Sequence, residues 1–327
     1  MRMIIQGGNH LKGTVQIFGA KNAIGPLITA TLIVKGTVRF KNVPRLTDVM
    51  GLLELLQGMG AKIDWLGPHE LTINTVDVNP SELDHKLMKR MRFSILLLGP
   101  MLARFQKIVV PEPGGCNIGN RPIDRHLFAL SALGATVESE SDGKLYMETK
   151  GLVGSYIIMP DFSVTATENL IMAAVLAKGM TSIRLAATEP HVQQLCRFLN
   201  TAGAKIKGIG TAELDITGVS SLKAPKTACQ VIPDPIEVGT FAVAAALTHG
   251  DIEMQPIIPA HLDAIRSALS RVGVKQELTK NSFRVQGVGR MDAFRLQTNV
   301  YPGFPTDLQA PFGLLATQCH GTSLIHD

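Results

Sequence analysis

Residues 168–179, Glu-Asn-Leu-Ile-Met-Ala-Ala-Val-Leu-Ala-Lys-Gly (ENLIMAAVLAKG), decide how this chain folds. They are small and apolar, and they stop at a lysine followed by a glycine. A cation suits the negative end of a helix, and glycine accepts the left-handed conformation that closes one. The same ending recurs in TLIVKGT at Gly36, AALTHGD at Gly250 and LATQCHGT at Gly321. Gly179, Gly250 and Gly321 stand 71 residues apart, and Gly36 lies 143 residues, two periods, before Gly179. The intermediate mark, near residue 107, reads LARFQK and lacks the glycine. A second marker has nearly the same period: Gly60 in MGAK, Gly134 in LGAT, Gly203 in AGAK and Gly273 in VGVK, in steps of 74, 69 and 70. Two independent markers with one period define an internal repeat.

Each unit reads alike. An apolar helix ends at Lys/His-Gly, and a short strand follows, such as TSIRLAA or DIEMQPI. Next comes an amphipathic helix such as HVQQLCRFLNTAGA, with Val192, Leu195, Phe198 and Leu199 on one face. Two more strands, such as KIDWL and LTINTV, complete an α-β-α-β-β unit. Four copies begin near Lys21, Arg92, Thr165 and Thr240, and a fifth begins at Thr306 and breaks off at TSLIHD. A repeat covers its apolar faces against its neighbours, so the C-terminal end is expected to be abbreviated.

Composition narrows the function. Of 327 residues, 45% are hydrophobic but only 5% aromatic, which suits a sizeable core of small aliphatic side chains. The net charge of +5 is spread without a long basic block, the tightest cluster being Lys86, Lys89, Arg90 and Arg92. The basic and aromatic interleaving of single-strand nucleic-acid binders is missing, and small anionic substrates fit better. The four cysteines, Cys116, Cys196, Cys229 and Cys319, are far apart, so neither a zinc site nor a disulfide framework is signalled. With no signal-peptide core, and no apolar run long enough to span a bilayer, the expectation is a soluble protein of the reducing cytoplasm.

Polar residues gather where the first helix of each copy begins: Lys21-Asn22, Arg92, Thr165 to Glu168, Gly239-Thr240 and Thr306-Asp307. Helix N-termini present free N–H groups and partial positive charge, so several converging on one cleft would suit a doubly anionic substrate. Each residue also has a plainer reading. Without the repeat context Lys21 and Arg92 read first as solvated surface charges, Asp307 as a helix-terminus carboxylate, and Thr165 and Thr167 as helix caps. The stretch PGGCNIGNRP, residues 113–122, sets Cys116 among glycines and prolines that discourage regular structure. Cys116 is either a small buried apolar residue or a reactive thiol whose thiolate Arg92 and Arg121 favour. GGCNIG matches no nucleotide-binding glycine pattern.

The blocks GAKNA, MRFSILLLGP, PGGCNIGNRPID, TATEN and YPGFPTDLQAPF, in this order, resemble the UDP-N-acetylglucosamine 1-carboxyvinyltransferase family, which begins bacterial peptidoglycan synthesis. The resemblance runs from about Ile4 to the last residue. It implies an α/β fold of two inside-out barrel-like domains, each of three α-β-α-β-β units with the helices central. Residues 20–230 would form the first domain, and residues 1–19 with 231–327 an incomplete second one. The implied substrates are phosphoenolpyruvate and UDP-N-acetylglucosamine, with no metal or organic cofactor, nucleic acid or membrane involved. Cys116, on a loop that closes over the substrates, would give a proton to the phosphoenolpyruvate methylene and be the target of epoxides of the fosfomycin type. Asp307 would take the sugar hydroxyl proton. Lys21, Arg92 and Arg121 would clamp phosphoenolpyruvate, and Asn22 would touch the sugar. Arg121, Pro122, Ile123, Asp124 and Arg125 match the uridine-side segment, and Ser163, Val164 and Thr165 the diphosphate-side segment.

One departure accompanies the resemblance. The family has six units and this sequence stops early in the fifth, so the C-terminal arginines that complete the family's phosphoenolpyruvate site are not in it. Two alternatives follow: a sugar-nucleotide-binding remnant without turnover, and a relative acting on shikimate 3-phosphate, against which the cysteine loop argues.

Overall fold

A computed structural model of the chain describes residues 3–111, 123–139 and 144–327. The chain divides into two compact units, Lys21–Val231 and Met1–Ala20 with Ile232–Asp327.

The larger unit has a centre of helices. Helix α1 (Lys21–Ala30) is buried from Ala23 to its end. It is followed by strand Thr37–Lys41, α2 (Thr47–Gly58) and strands Lys62–Gly67 and Glu70–Asn74, which is the first α-β-α-β-β unit. The second opens with α3 (His85–Arg90) and a 3-10 turn, Arg92–Leu97, that runs into α4 (Leu98–Phe105). It continues through strand Lys107–Pro111, α5 (Asp124–Ser131) and strands Thr136–Ser139 and Lys144–Glu148. The third contains α6 (Val164–Ala174), strand Met180–Arg184, α7 (Pro190–Thr201) and strands Lys205–Lys207 and Glu213–Thr217. Small residues let the first helices of the three copies approach closely. A Cβ on Gly99 of α4 would lie 2.2 Å from the Asn169 carbonyl oxygen of α6. The Thr29 hydroxyl of α1 reaches Met172 Sδ of α6 at 3.5 Å. The strands flanking this helical centre alternate exposed and buried residues, as sheets with one solvated face do.

The sheets share one order. In the first unit Thr37–Lys41, Glu70–Asn74 and Lys62–Gly67 lie side by side and antiparallel, and Cys229–Gln230, from beyond the third unit, pairs parallel to Thr37–Lys41. In the third, Tyr156–Ile158 takes the same parallel place beside Met180–Arg184. Each of these two sheets is thus completed by a strand from outside its own repeat.

The smaller unit repeats the plan. Helix α8 (Pro235–Leu247), strand Asp251–Gln255, α9 (Asp263–Val272) and strands Lys275–Leu278 and Phe283–Gln286 form the fourth copy. The N-terminal strand Lys12–Gln16 pairs parallel with Asp251–Gln255. A 3-10 turn, Thr306–Leu308, then leads into α10 (Gln309–Ala316) and strand Leu324–His326. Phe312 anchors this end of the core, its ring edge-on to Phe304 at 4.8 Å and to Phe294 at 6.3 Å.

The marker glycines have a conformational cause. Gly60, Gly134, Gly203 and Gly273, each just beyond the second helix of its copy, all have positive φ between 87° and 107°. Gly36, Gly179 and Gly321 are likewise left-handed. Where the first marker lacks its glycine, Gln106 takes the left-handed position at the end of α4 with φ 62°. At the fourth copy His249, not Gly250, is left-handed. A side chain there costs about 1–2 kcal/mol, which explains the prevalence of glycine without making it obligatory.

Two expectations need correction. The fourth copy begins at Pro235, not near Thr240: Asp234 caps α8 by accepting the Ile236 N–H at 2.8 Å, and Thr240 lies inside the helix with its hydroxyl on the Ile236 carbonyl. Thr165 and Thr167 are not caps of α6. Ser163 holds the N-cap position, the Thr165 hydroxyl bonds to His126, and the Thr167 hydroxyl accepts the Ala187 N–H at 3.1 Å.

Candidate active site

In the larger unit, three N-terminal segments carry the residues singled out in the sequence. Lys21 and Asn22 open α1, Arg92 opens the 3-10 turn before α4, and Val164 and Thr165 open α6. Gly25 brings the first two together. A Cβ there would meet the Phe93 ring at 1.9 Å, so only glycine lets α1 lie against the 3-10 turn. The Lys21 ammonium consequently sits 5.8 Å from the centre of the Phe93 ring, beside Arg92 in sequence. It also makes a 3.1 Å ion pair with Asp48, in the first turn of α2. Both side chains of that pair are about two-fifths exposed, so the pair orients Lys21 at a modest gain in stability.

The third segment is tied to α5. His126, 3% exposed, places Nε2 2.9 Å from the Thr165 hydroxyl. Burial, with the Arg92 and Arg125 charges nearby, pushes its imidazole down to about 4, so it is neutral at pH 7. One residue earlier, Arg125 makes a two-pronged ion pair with Asp161, its Nε and Nη2 each donating to one carboxylate oxygen. Ile123 is buried at the N-cap of α5, and Asp124, its first residue, is exposed. Ser163 offers α6 no side-chain cap bond, and the positive end of this eleven-residue helix lies at the Asp161–Thr165 stretch.

Asn169 connects α6 to the Arg92 segment. Its carboxamide accepts the Gly99 N–H at 2.7 Å and donates to the Ile95 carbonyl at 3.0 Å. Those are the two groups that a regular helix would join to each other, so the side chain splices the passage from 3-10 turn to α4. Its neighbour Glu168 is fully buried, and Oε1 has no hydrogen-bond partner among the described residues. Burial, and secondarily the Glu189 charge, push its carboxyl well above the usual range and favour its neutral form.

In the smaller unit Asp307 lies exposed in the turn Thr306–Leu308. Gly239 positions that turn against α8, since a Cβ there would fall 2.4 Å from Leu308 Cδ1. Cys116, Arg121 and Pro122 lie outside the described residues. Sequence reasoning placed Glu168 among the polar residues that open the third copy without giving it a role, and it missed His126, Asp161 and Asn169. His126 lies two residues beyond the motif PGGCNIGNRPID, and Glu168 and Asn169 close TATEN; polar residues in such apolar surroundings were the available signal. No group of three His, Cys, Asp or Glu side chains among the described residues is placed to hold a metal ion, and none of the described helices is long and apolar enough to cross a membrane.

Central helices ringed by repeated α-β-α-β-β sheets are the architecture of the enolpyruvyl transferases. The chain superposes on the enolpyruvyl transferase NikO from Streptomyces tendae with a TM-score of 0.88 at 22% identity, covering 98% of this chain and 76% of that one. On EPSP synthase from Acinetobacter baumannii it gives 0.72 at 19% identity, covering 98% and 75%. A family model for EPSP synthase (3-phosphoshikimate 1-carboxyvinyltransferase) matches residues 5–326. UDP-N-acetylglucosamine 1-carboxyvinyltransferase of Helicobacter pylori strain HPAG1 is 44% identical over 323 residues, 99% of this chain and 76% of the relative. The Wolinella succinogenes enzyme of that name is also 44% identical, with 99% and 77% covered. The chain belongs to the UDP-N-acetylglucosamine 1-carboxyvinyltransferase family, and with it to the transferase enzymes.

Proposed function

We propose that this chain transfers the enolpyruvyl group of phosphoenolpyruvate to the 3-hydroxyl of UDP-N-acetylglucosamine and releases phosphate, in the cytoplasm, as the committing step of peptidoglycan synthesis. The observation that carries the reading is the 44% identity over 99% of the chain to enzymes of that name. The gathering of Lys21, Arg92 and the α6 N-terminus in one unit supports it.

The reaction is addition followed by elimination. Cys116 delivers a proton to the methylene carbon of phosphoenolpyruvate while the sugar oxygen bonds to its central carbon, and Asp307 takes the hydroxyl proton. The product of addition is a tetrahedral ketal that still carries phosphate. Loss of a proton from the new methyl group and departure of phosphate then give the enol ether. Lys21, Arg92 and Arg121 neutralise the phosphate and carboxylate and the charge that develops on the leaving group. Asn22 contacts the sugar. Arg121, Pro122, Ile123, Asp124 and Arg125 serve the uridine side, and Ser163, Val164 and Thr165 the diphosphate, where helix N–H groups favour anions.

The test is phosphate release from phosphoenolpyruvate by the purified chain, with UDP-N-acetylglucosamine, with shikimate 3-phosphate and with neither, beside a Cys116→Ala control. Release that needs the sugar nucleotide and Cys116 is expected. Release with shikimate 3-phosphate alone would transfer the chain to the sister activity named by the family model. No release from folded protein would leave a sugar-nucleotide-binding remnant.

A further inference from the structure

Two consecutive residues of α5 hold the segment that leads into α6. Arg125 grips Asp161 through both carboxylate oxygens, and His126 grips Thr165 at 2.9 Å. Between the two grips lie Phe162, Ser163 and Val164. Ser163 makes no side-chain cap bond of its own, so the start of α6 is held by α5 rather than by a local cap. The grips differ in character. His126 is buried and uncharged, and it bonds within the helix's first turn. The Arg125–Asp161 pair is nearly half exposed and lies just before the helix. A single exposed ion pair adds little to stability, but two parallel N–H···O bonds fix the relative angle of the groups that make them.

We propose that Arg125 and Asp161 form a positioning clasp that sets the sugar-nucleotide affinity of this site. The clasp makes Ile123–Asp124 and Ser163–Thr165 move as one body, so the parts that meet the uridine and the diphosphate keep a fixed spacing. Arg125 serves the uridine side by holding Asp161 and does not itself touch the ligand. The inference rests on the function proposed above for the identity of the ligand, and on the ion pair alone for the clasp.

The experiment compares Asp161→Asn, Arg125→Leu and the charge-exchanged Arg125→Asp/Asp161→Arg protein with the unaltered chain. Each single variant should raise the KM for UDP-N-acetylglucosamine about two- to fivefold, the range of an exposed ion pair, with kcat and the KM for phosphoenolpyruvate within about twofold. The exchanged pair should recover at least half of the loss, because opposite charges again face each other. Hydrogen exchange without substrate supplies an independent readout: amides of residues 161–168 should exchange faster in Asp161→Asn and return towards normal in the exchanged pair. A rise in KM for Arg125→Leu with none for Asp161→Asn would mean that Arg125 contacts the ligand, and would overturn the clasp. Unchanged exchange in Asp161→Asn would overturn it also. Should the unaltered chain fail to turn over, the function proposed above falls, while the exchange measurement still decides whether the clasp exists.

Discussion

The carboxamide of Asn169 stands between Gly99 and Ile95, accepting the N–H of one at 2.7 Å and donating to the carbonyl of the other at 3.0 Å. A side chain of α6 therefore takes the place of a main-chain bond at the start of α4, and so fixes the turn that carries Arg92.

Removing that splice should be costly. Asn169→Leu leaves the buried Gly99 N–H without its partner, at about 1–3 kcal/mol, while the Ile95 carbonyl keeps the Leu98 N–H. Gly99→Ala drives a methyl group to 2.2 Å from the Asn169 carbonyl oxygen, which the closely packed helices cannot yield without moving. Both variants should unfold at clearly lower urea concentration than the unaltered chain. Gly58→Ala, in α2 where an added Cβ meets nothing within 4 Å, should be neutral or slightly stabilising.

Thiol labelling should single out Cys116. Burial pushes Cys196 up to about 12 and Cys229 up to about 11, and it raises Cys319 as well. At pH 7.5 all three are thiols and poor nucleophiles. Iodoacetamide or a small epoxide should modify the folded protein at one position per chain, identified by peptide mass spectrometry as Cys116, and Cys116→Ser should abolish fast labelling. Rapid labelling of Cys196 in folded protein would contradict the burial described above.

Two buried groups should make stability depend on pH, with opposite signs. His126 is depressed in the fold to about 4 from an ordinary 6.5, so its contribution is present above pH 6.5 and is lost as pH falls towards 4. A difference of that size corresponds to about 3 kcal/mol at most. Glu168 is raised in the fold, mainly by burial and then by Glu189, so its contribution is complete below the ordinary carboxylate range and is lost as pH rises through its folded value. His126→Gln, which keeps a hydrogen-bonding group for Thr165, should flatten the acid limb of a melting-temperature profile. Glu168→Gln should remove the loss of stability that sets in as pH rises above the ordinary carboxylate range. A melting-temperature difference between the unaltered chain and His126→Gln that stays constant from pH 4 to 6.5 would contradict the first assignment, and one between the unaltered chain and Glu168→Gln that stays constant above pH 4.5 would contradict the second.

Asp307→Asn should leave the melting temperature unchanged, because the side chain is exposed in its turn. It should lower kcat by about 10²–10⁴-fold, the span of a lost general base. An activity within tenfold of the unaltered chain would remove Asp307 from that role.

Much of the fold was legible because its cause is local. A helix that closes on a left-handed residue asks for glycine, and Gly60, Gly134, Gly203 and Gly273 all answer that demand. The same rule failed at Gln106 and His249, where the protein tolerates a side chain in the left-handed region. The start of the fourth copy was misread because Thr240 looked like a helix start, while the operative signal was Asp234 ahead of Pro235, a cap followed by a residue pre-set for the first turn. The strands that complete three of the sheets from outside, Lys12–Gln16 beside Asp251–Gln255 for one, are tertiary facts that no local pattern encodes. For the same reason the charged residues Lys21 and Arg92 stood out in the sequence, whereas Asp161, His126 and Asn169, which act on their neighbours, did not.

Carboxyvinyl transfer to a sugar nucleotide leaves an isotopic record in the product. Phosphoenolpyruvate and UDP-N-acetylglucosamine are incubated with the purified chain in heavy water, and the sugar product is followed by proton NMR. The account predicts an enol ether on the 3-oxygen of the sugar, with deuterium in its vinyl methylene, because the carbon becomes a methyl group before elimination. A product without deuterium would contradict the addition–elimination course, and no sugar product from folded protein would contradict the transfer itself.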